Sequence, residues 1–187
     1  MKRLIIGLIA ICSTSLALAQ TQPSRVADSN PVSFMGISVS GNLESFLLKV
    51  EEKGFKVSSE GTANMSMLNG DFLGEKADLL ILSTEGTQQV YGVIVLLQKN
   101  NNWATMKGNF NILKKMYTEQ YGKPEKNDHY FTKPFDDVQD EMQKVELGMC
   151  DYLCSWNTPN VILEITKSAR IIITYENDAA FREYAGL

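Results

Sequence analysis

The chain has little of what catalysis and metal binding usually require. Its 187 residues include one histidine, three cysteines and two tryptophans. Because a catalytic triad or a histidine-rich zinc site needs at least one placed histidine, any such site must include His129. His129 lies in a polar stretch beside Asp128 and Tyr130, where a surface position is expected. We therefore predict no catalytic residue, no bound metal and no cofactor.

The sequence also has no apolar run as long as the roughly 20 residues that a membrane-spanning helix needs. The N-terminus instead carries Lys2 and Arg3, a short apolar run from Leu4 to Ile11, and the small-residue triplet that ends at Ala19. This layout predicts a signal peptide over residues 1–19. We expect an exported protein, periplasmic or extracellular, with no membrane span after cleavage.

Acidic residues outnumber basic residues in this chain. Loss of Lys2 and Arg3 with the leader would leave 16 basic against 22 acidic side chains, a formal charge of −6. Nucleic-acid-binding proteins normally present a basic stripe to the phosphate backbone. The charge balance therefore argues against a nucleic-acid partner.

Only Cys150 and Cys154 remain after leader removal, and they could form a disulfide in an oxidising compartment. In an extended strand, residues four apart are separated by about 13 Å, beyond the reach of about 7 Å that a disulfide tolerates. A bulge or turn between them would permit the bond, and the sequence leaves this open.

Hydrophobic periodicity predicts two main amphipathic helices. Leu43, Phe46 and Val50 mark the first, which ends at Lys53 and Gly54, and Asn102 is the candidate N-cap of the second, which ends near Tyr121. A brief terminal helix is predicted from Asn177 to Tyr184. The acidic segment 134–148 is predicted to be irregular, with one helical turn around Val138, Met142 and Val145. The predicted strands are 34–39, 55–59, 65–73, 77–83, 88–97, 128–131, 150–156, 161–166 and 169–175.

These elements predict an α+β fold in which antiparallel sheet packs against the two main helices on one face. Residues 20–31 are predicted to be a flexible lead-in and 32–187 one compact domain. Both possible halves, 32–98 and 99–187, pair a helix with a run of strands. The sequence therefore suggests a tandem repeat of a helix-plus-β-meander unit.

Five short motifs resemble those of uncharacterised exported proteins of Bacteroides-type bacteria. The motifs are Phe34-Met35-Gly36-Ile37, Leu43 through Gly54-Phe55, Val90-Tyr91-Gly92-Val93, Tyr121-Gly122-Lys123-Pro124 and Ile171 through Asn177. The resemblance covers most of the mature chain and implies export and fold, with no active residue to transfer. The doubled plan is similar, in architecture alone, to that of the β-lactamase inhibitor proteins and of small outer-membrane assembly lipoproteins.

Two functions are compatible with these observations. The first is a non-enzymatic binding protein of the cell envelope, in which a sheet surface or an edge strand receives a protein or peptide partner. A uniformly charged, convex outer face would argue against this function, and Glu164, Thr166, Arg170 and Thr174 would then be only solubilising residues. The alternative is a small-ligand or glycan-associated protein, or a weak hydrolase. The candidate binding residues are His129, Tyr130, Asp136, Asp137, Tyr152 and Trp156, of which Trp156 is predicted to be partly exposed at a strand end.

Overall fold

The computed structural model describes residues 32–58, 61–132 and 140–185, with side chains up to residue 182. In these ranges the chain forms ten strands and four helices. The strands are β1 (Ser33–Phe34), β2 (Ile37–Ser38), β3 (Lys56–Val57), β4 (Met65–Phe72), β5 (Glu75–Ser83), β6 (Val90–Leu97), β7 (Lys126–Phe131), β8 (Cys150–Asn157), β9 (Asn160–Thr166) and β10 (Arg170–Glu176). The helices are α1 (Leu43–Glu52), α2 (Trp103–Tyr121), α3 (Glu141–Glu146) and α4 (Asp178–Ala185). The predicted signal peptide and lead-in lie outside the described residues.

The two main helices begin at asparagine caps. The side-chain oxygen of Asn42 accepts a hydrogen bond from the backbone N–H of Glu44 at 3.0 Å, and that of Asn102 accepts one from Thr105 at 2.9 Å. These bonds satisfy N–H groups that have no partner within the helix. The predicted cap of the second helix is confirmed.

The first predicted strand, 34–39, is wrong in detail. Met35 and Gly36 both adopt positive φ angles, 50° and 80°, and turn the chain back on itself. Two consecutive left-handed residues make the tight turn of a two-residue β-hairpin. The segment therefore forms the small hairpin of β1 and β2, in which Phe34 lies opposite Ile37.

The remaining eight strands form one antiparallel sheet in the order β3-β4-β5-β6-β10-β9-β8-β7. The first half contributes α1 followed by β3 to β6, and the second contributes α2 followed by β7 to β10. The last strands of the two halves, β6 and β10, pair at the centre, with Val95 opposite Ile173. The predicted α+β class with antiparallel sheet is confirmed, and the element order has the form of two helix-plus-meander units.

One face of this sheet, the inner face, holds the hydrophobic core. Leu79, Val95, Ile173 and Leu163 lie side by side in register across four strands and are fully buried. Aromatic rings from other elements cover them. The ring of Phe34 stacks on that of Phe72 at 5.9 Å between centroids.

Helices α1, α2 and α3 contribute side chains to the core on the inner face. From α2, Phe110 packs edge-on against Tyr152 of β8 at 5.7 Å. Val145 of α3 is fully buried, and α3 is the helical turn predicted within segment 134–148. Phe181 of α4 contacts Tyr91 of β6 at 5.5 Å. Among the described residues, no helix combines the length and apolar character needed to cross a membrane.

Candidate functional site

The predicted site residues do not share one face of the sheet. His129 and Tyr130 are neighbours in β7, so their side chains point to opposite faces. Tyr152 lies directly opposite His129 on β8 and shares the inner face with it. Asp136 and Asp137 lie outside the described residues. The structure thus brings His129 and Tyr152 together and sends Tyr130 to the other side.

His129 sits in an aromatic environment rather than on an open surface. Its ring stacks on that of Tyr152 with centroids 5.2 Å apart, and Phe110 meets it edge-on at 5.4 Å. Its Nε2 lies 3.4 Å from Lys114 Nζ and 3.5 Å from Cys154 Sγ. The imidazole therefore packs at the margin of the core, between a helix and the last strand pair.

This environment disfavours nucleophilic chemistry. Burial, and then the positive charge of Lys114, lowers the pKa of His129, while burial raises the pKa of the Cys154 thiol. A cysteine attacks as its thiolate, and Cys154 is also fully buried. The contact between Cys154 and His129 therefore joins a neutral thiol to a neutral imidazole at the margin of the core.

Trp156 is buried, so the prediction of its partial exposure is wrong. Only 1% of the residue is accessible, and its ring packs on Tyr117 of α2 at 5.7 Å. The indole N–H donates a hydrogen bond to the carbonyl of Gly122 at 2.9 Å. Trp156 follows Tyr152 and Cys154 at every second position of β8, and this alternation places it on the inner face.

The two cysteines are free thiols on one face of β8. Cys150 is partly buried, and burial raises the pKa of its thiol to about 11. No bulge interrupts β8 between the two cysteines, because its register with β7 is unbroken. Cys150 lies opposite Phe131, and Cys154 lies opposite Asn127. No group of three or more metal-ligating side chains occurs among the described residues.

The other face of the sheet, here called the outer face, departs from the usual pattern. An antiparallel sheet with one buried face normally carries polar residues on the other. Here nine apolar side chains are partly exposed on that second face, within the described parts of the chain. They are Met65 and Met67 of β4, Leu80 and Leu82 of β5, Ile94 and Leu96 of β6, Leu153 of β8, Ile162 of β9 and Ile172 of β10.

These side chains form a connected surface because of strand register. Met67, Leu80 and Ile94 are directly opposite one another on three successive strands. Leu96 lies opposite Ile172 across the central pair of strands. Directly opposite residues have Cβ atoms about 5 Å apart, which is within contact of long apolar side chains.

Ion pairs border the apolar surface. Arg170 Nη1 lies 3.4 Å from Asp78 Oδ2, Lys76 Nζ lies 3.1 Å from Asp71 Oδ2, and Lys126 Nζ lies 3.2 Å from Asp128 Oδ2. All six side chains are at least 31% exposed. Such exposed pairs contribute about 0–1 kcal/mol each, so they keep the rim soluble more than they stabilise the fold.

Glu164 differs from the other acidic residues of this face. It lies on β9 between Ile172 of β10 and Leu153 of β8, and it is partly buried. Within the described residues its carboxylate has neither a hydrogen-bond donor nor a cation. An unpaired carboxylate thus has apolar side chains directly opposite it on both neighbouring strands.

Tyr130 lies at the β7 edge of the outer face and is 53% exposed. Asp151 is directly opposite it on β8 and accepts a hydrogen bond from the Thr132 hydroxyl. Tyrosine combines an apolar ring with a polar tip, which suits the margin of an interface.

A separate polar cavity of about 530 Å³ lies at one end of the sheet, beside the start of α1. Its walls include Ser40, Thr84, Thr87 and Gln89. The hydroxyl groups of Thr84 and Thr87 are 2.6 Å apart, and the Gln89 N–H donates to Thr84 Oγ1 at 2.9 Å. These hydroxyl groups bond within the turn that they stabilise. The six predicted site residues are not among its described walls.

Comparison of the chain with protein-family models, with curated proteins and with solved structures finds no match.

Of the predicted site residues that the structure describes, only Tyr130 lies on the outer face. One signal for an apolar outer face is nevertheless visible in the sequence. Residues 93–97 are apolar at every position, and this pattern predicts a central strand. β6 is indeed central, flanked by β5 and β10. In a sheet covered on only one side, the same pattern also requires an apolar outer surface.

Proposed function

We propose that this protein is an exported, non-enzymatic binding protein of the cell envelope, and that its outer face receives a protein partner. The observation that carries the proposal is the apolar outer face itself, in a sheet whose core-forming helices α1, α2 and α3 pack on the opposite side. Connected apolar patches on soluble proteins commonly mark interaction sites.

The character of the outer face supports a protein partner over a small ligand. Its apolar side chains spread over six strands, from β4 at one side to β8 at the other. Small-molecule sites are concave pockets that enclose most of the ligand. Protein interfaces instead combine an apolar centre with a polar rim, and the ion pairs of Asp78, Asp71 and Asp128 supply such a rim.

Photo-cross-linking in the cells that produce the protein tests the proposal. A photoreactive phenylalanine analogue would replace Ile94, near the middle of the outer face, in the full-length chain. The matched control places the same analogue at Ile112, an isoleucine of α2 that is 68% exposed on the helix side.

Irradiation should attach a discrete polypeptide to the chain at position 94 and none at position 112. Absence of an adduct at position 94, or the same adducts at both positions, would contradict the proposal. Attachment of a glycan or lipid at position 94 would favour the alternative function over this one.

Export is a separate part of the proposal, supported by the N-terminal pattern of residues 1–19. The intact mass of protein recovered from the cell envelope should correspond to residues 20–187. An intact mass that retains the leader, or recovery only from the cytoplasm, would refute it.

A further inference from the structure

We infer that Glu164 anchors a basic side chain of the partner, so that the partner surface presents a lysine or arginine surrounded by apolar residues. This inference rests on the proposed function, since it concerns the same outer face.

The position of Glu164 carries the first step. Ile172 and Leu153 flank it across the strands, and Ile162 precedes it by two residues on the same face of β9. A partner that covers these three apolar side chains must also cover the carboxylate between them. The carboxylate would then lose its contact with water.

No cation among the described residues pairs with this carboxylate. Arg170 is diagonal to Glu164 on the neighbouring strand β10, but its guanidinium pairs with Asp78. Across the other neighbouring strand, the diagonal residues are Asp151 and Ser155, of which one is acidic and the other neutral. The residues directly opposite Glu164 are thus apolar on both sides, and the one cation diagonal to it on these strands is already paired with Asp78.

Because binding would remove water from the Glu164 carboxylate, the charge of the partner's side chain at this point decides whether binding is favourable. A carboxylate that is buried without a cation is strongly unfavourable, whereas a paired and hydrogen-bonded one is tolerated. A purely apolar partner would bury the Glu164 charge unpaired and would be rejected. A partner with a lysine or arginine at this point compensates the charge and fixes its own register on the face.

The net charge of the chain also favours a basic partner surface. The chain has 22 acidic against 18 basic residues, so a basic surface is attracted to it and an anionic lipid surface is repelled. The inference therefore commits to a basic protein surface and not to a membrane.

The test measures the Ile94 photo-adduct in three backgrounds of the full-length chain. Glu164→Gln removes the charge and keeps the shape of the side chain, and Glu164→Lys reverses the charge. Glu52→Gln is the matched control, because it makes the same change in net charge on an exposed position of α1.

We expect Glu164→Gln to lower the adduct yield about tenfold or more, the loss typical of removing one member of a buried charge pair. Glu164→Lys should abolish the adduct, and Glu52→Gln should leave it unchanged. Equal melting temperatures of all variants would show that the fold is intact. The cross-linked segment of the partner should lie beside a lysine or arginine.

The two proposals fail in different ways. An adduct at position 94 whose yield does not respond to Glu164→Gln overturns the role of Glu164 and leaves the binding face in place. Equal losses in Glu164→Gln and Glu52→Gln also overturn it, since net charge alone would then govern binding. Absence of any adduct in the unsubstituted background refutes both.

Discussion

Leu79 and Leu80 are neighbours in β5 and allow the two faces of the sheet to be compared with one chemical change. Leu79 is fully buried on the inner face, opposite Val95, whereas Leu80 is partly exposed on the outer face, opposite Ile94. Replacing each by alanine removes the same atoms. The difference in stability between the two variants therefore reports whether the outer face is open.

The structure sets the expected magnitudes. Leu79→Ala leaves a cavity in a closed core and should cost about 3 kcal/mol, within the range of about 2–5 kcal/mol for such changes. For a chain of this length, about 3 kcal/mol lowers the melting temperature by about 6–12 °C. Leu80→Ala loses only cross-strand contacts with Met67 and Ile94, which contribute about 0.2–1 kcal/mol each. We expect it to cost about 1 kcal/mol.

Urea denaturation followed by tryptophan fluorescence would measure both free energies of unfolding. Circular dichroism melting provides the independent check that the transition is a single one. If Leu80→Ala destabilises the protein as much as Leu79→Ala, the outer face is covered in the native protein and is not a free binding surface. Such a result would refute the reasoning behind the proposed function.

Three further predictions concern features of the inner side. Asn102→Ala should lower the free energy of unfolding by about 1 kcal/mol in urea denaturation, because α2 loses its N-cap. Asn101→Ala, one residue earlier, is the control and should change this free energy little. Equal effects of the two substitutions would exclude a capping role. Trp156→Phe should cost about 1–3 kcal/mol, because the indole N–H bond to Gly122 is lost and the smaller ring leaves a gap in the core. An unchanged urea midpoint would contradict its burial. Cys150 and Cys154 should react slowly with iodoacetamide at pH 8 in the native protein and rapidly in urea. The reason is that burial raises the pKa of both thiols, that of Cys150 to about 11. Mass spectrometry would measure the alkylation, and fast reaction of the native protein would show that the thiols are accessible.

Local signals in the sequence predicted the secondary structure well. The asparagine cap and glycine stop of α2 depend on residues within one turn of the helix end, so Asn102 and Gly122 could be read directly. The gap between the predicted strands 77–83 and 88–97 likewise contains Gly86, whose positive φ of 85° helps to turn the chain. Such features depend on short-range hydrogen bonds and on the backbone freedom of glycine.

Predictions of exposure were less successful. Trp156 was expected to be partly exposed because it closes a predicted strand, yet it is buried under α2. His129, expected on the surface because its sequence neighbours are polar, is partly exposed, and its ring stacks on Tyr152. The error at Trp156 arises because the sequence shows neighbours along the chain, whereas burial depends on the helix that packs above the strand.

The sequence by itself determined the α+β class, the helix limits and the two-residue alternation that separates the faces of β9 and β10. Those properties follow from propensity, capping and hydrophobic period, all of which act over a few residues. Only the tertiary structure decided that β6 pairs with β10, that α1, α2 and α3 share one face, and that Glu164 lies between Leu153 and Ile172. Pairing of distant strands is set by which registers bury the core together, and this depends on residues far apart in the chain. The candidate binding face is a product of that pairing, because its apolar side chains come from six different strands.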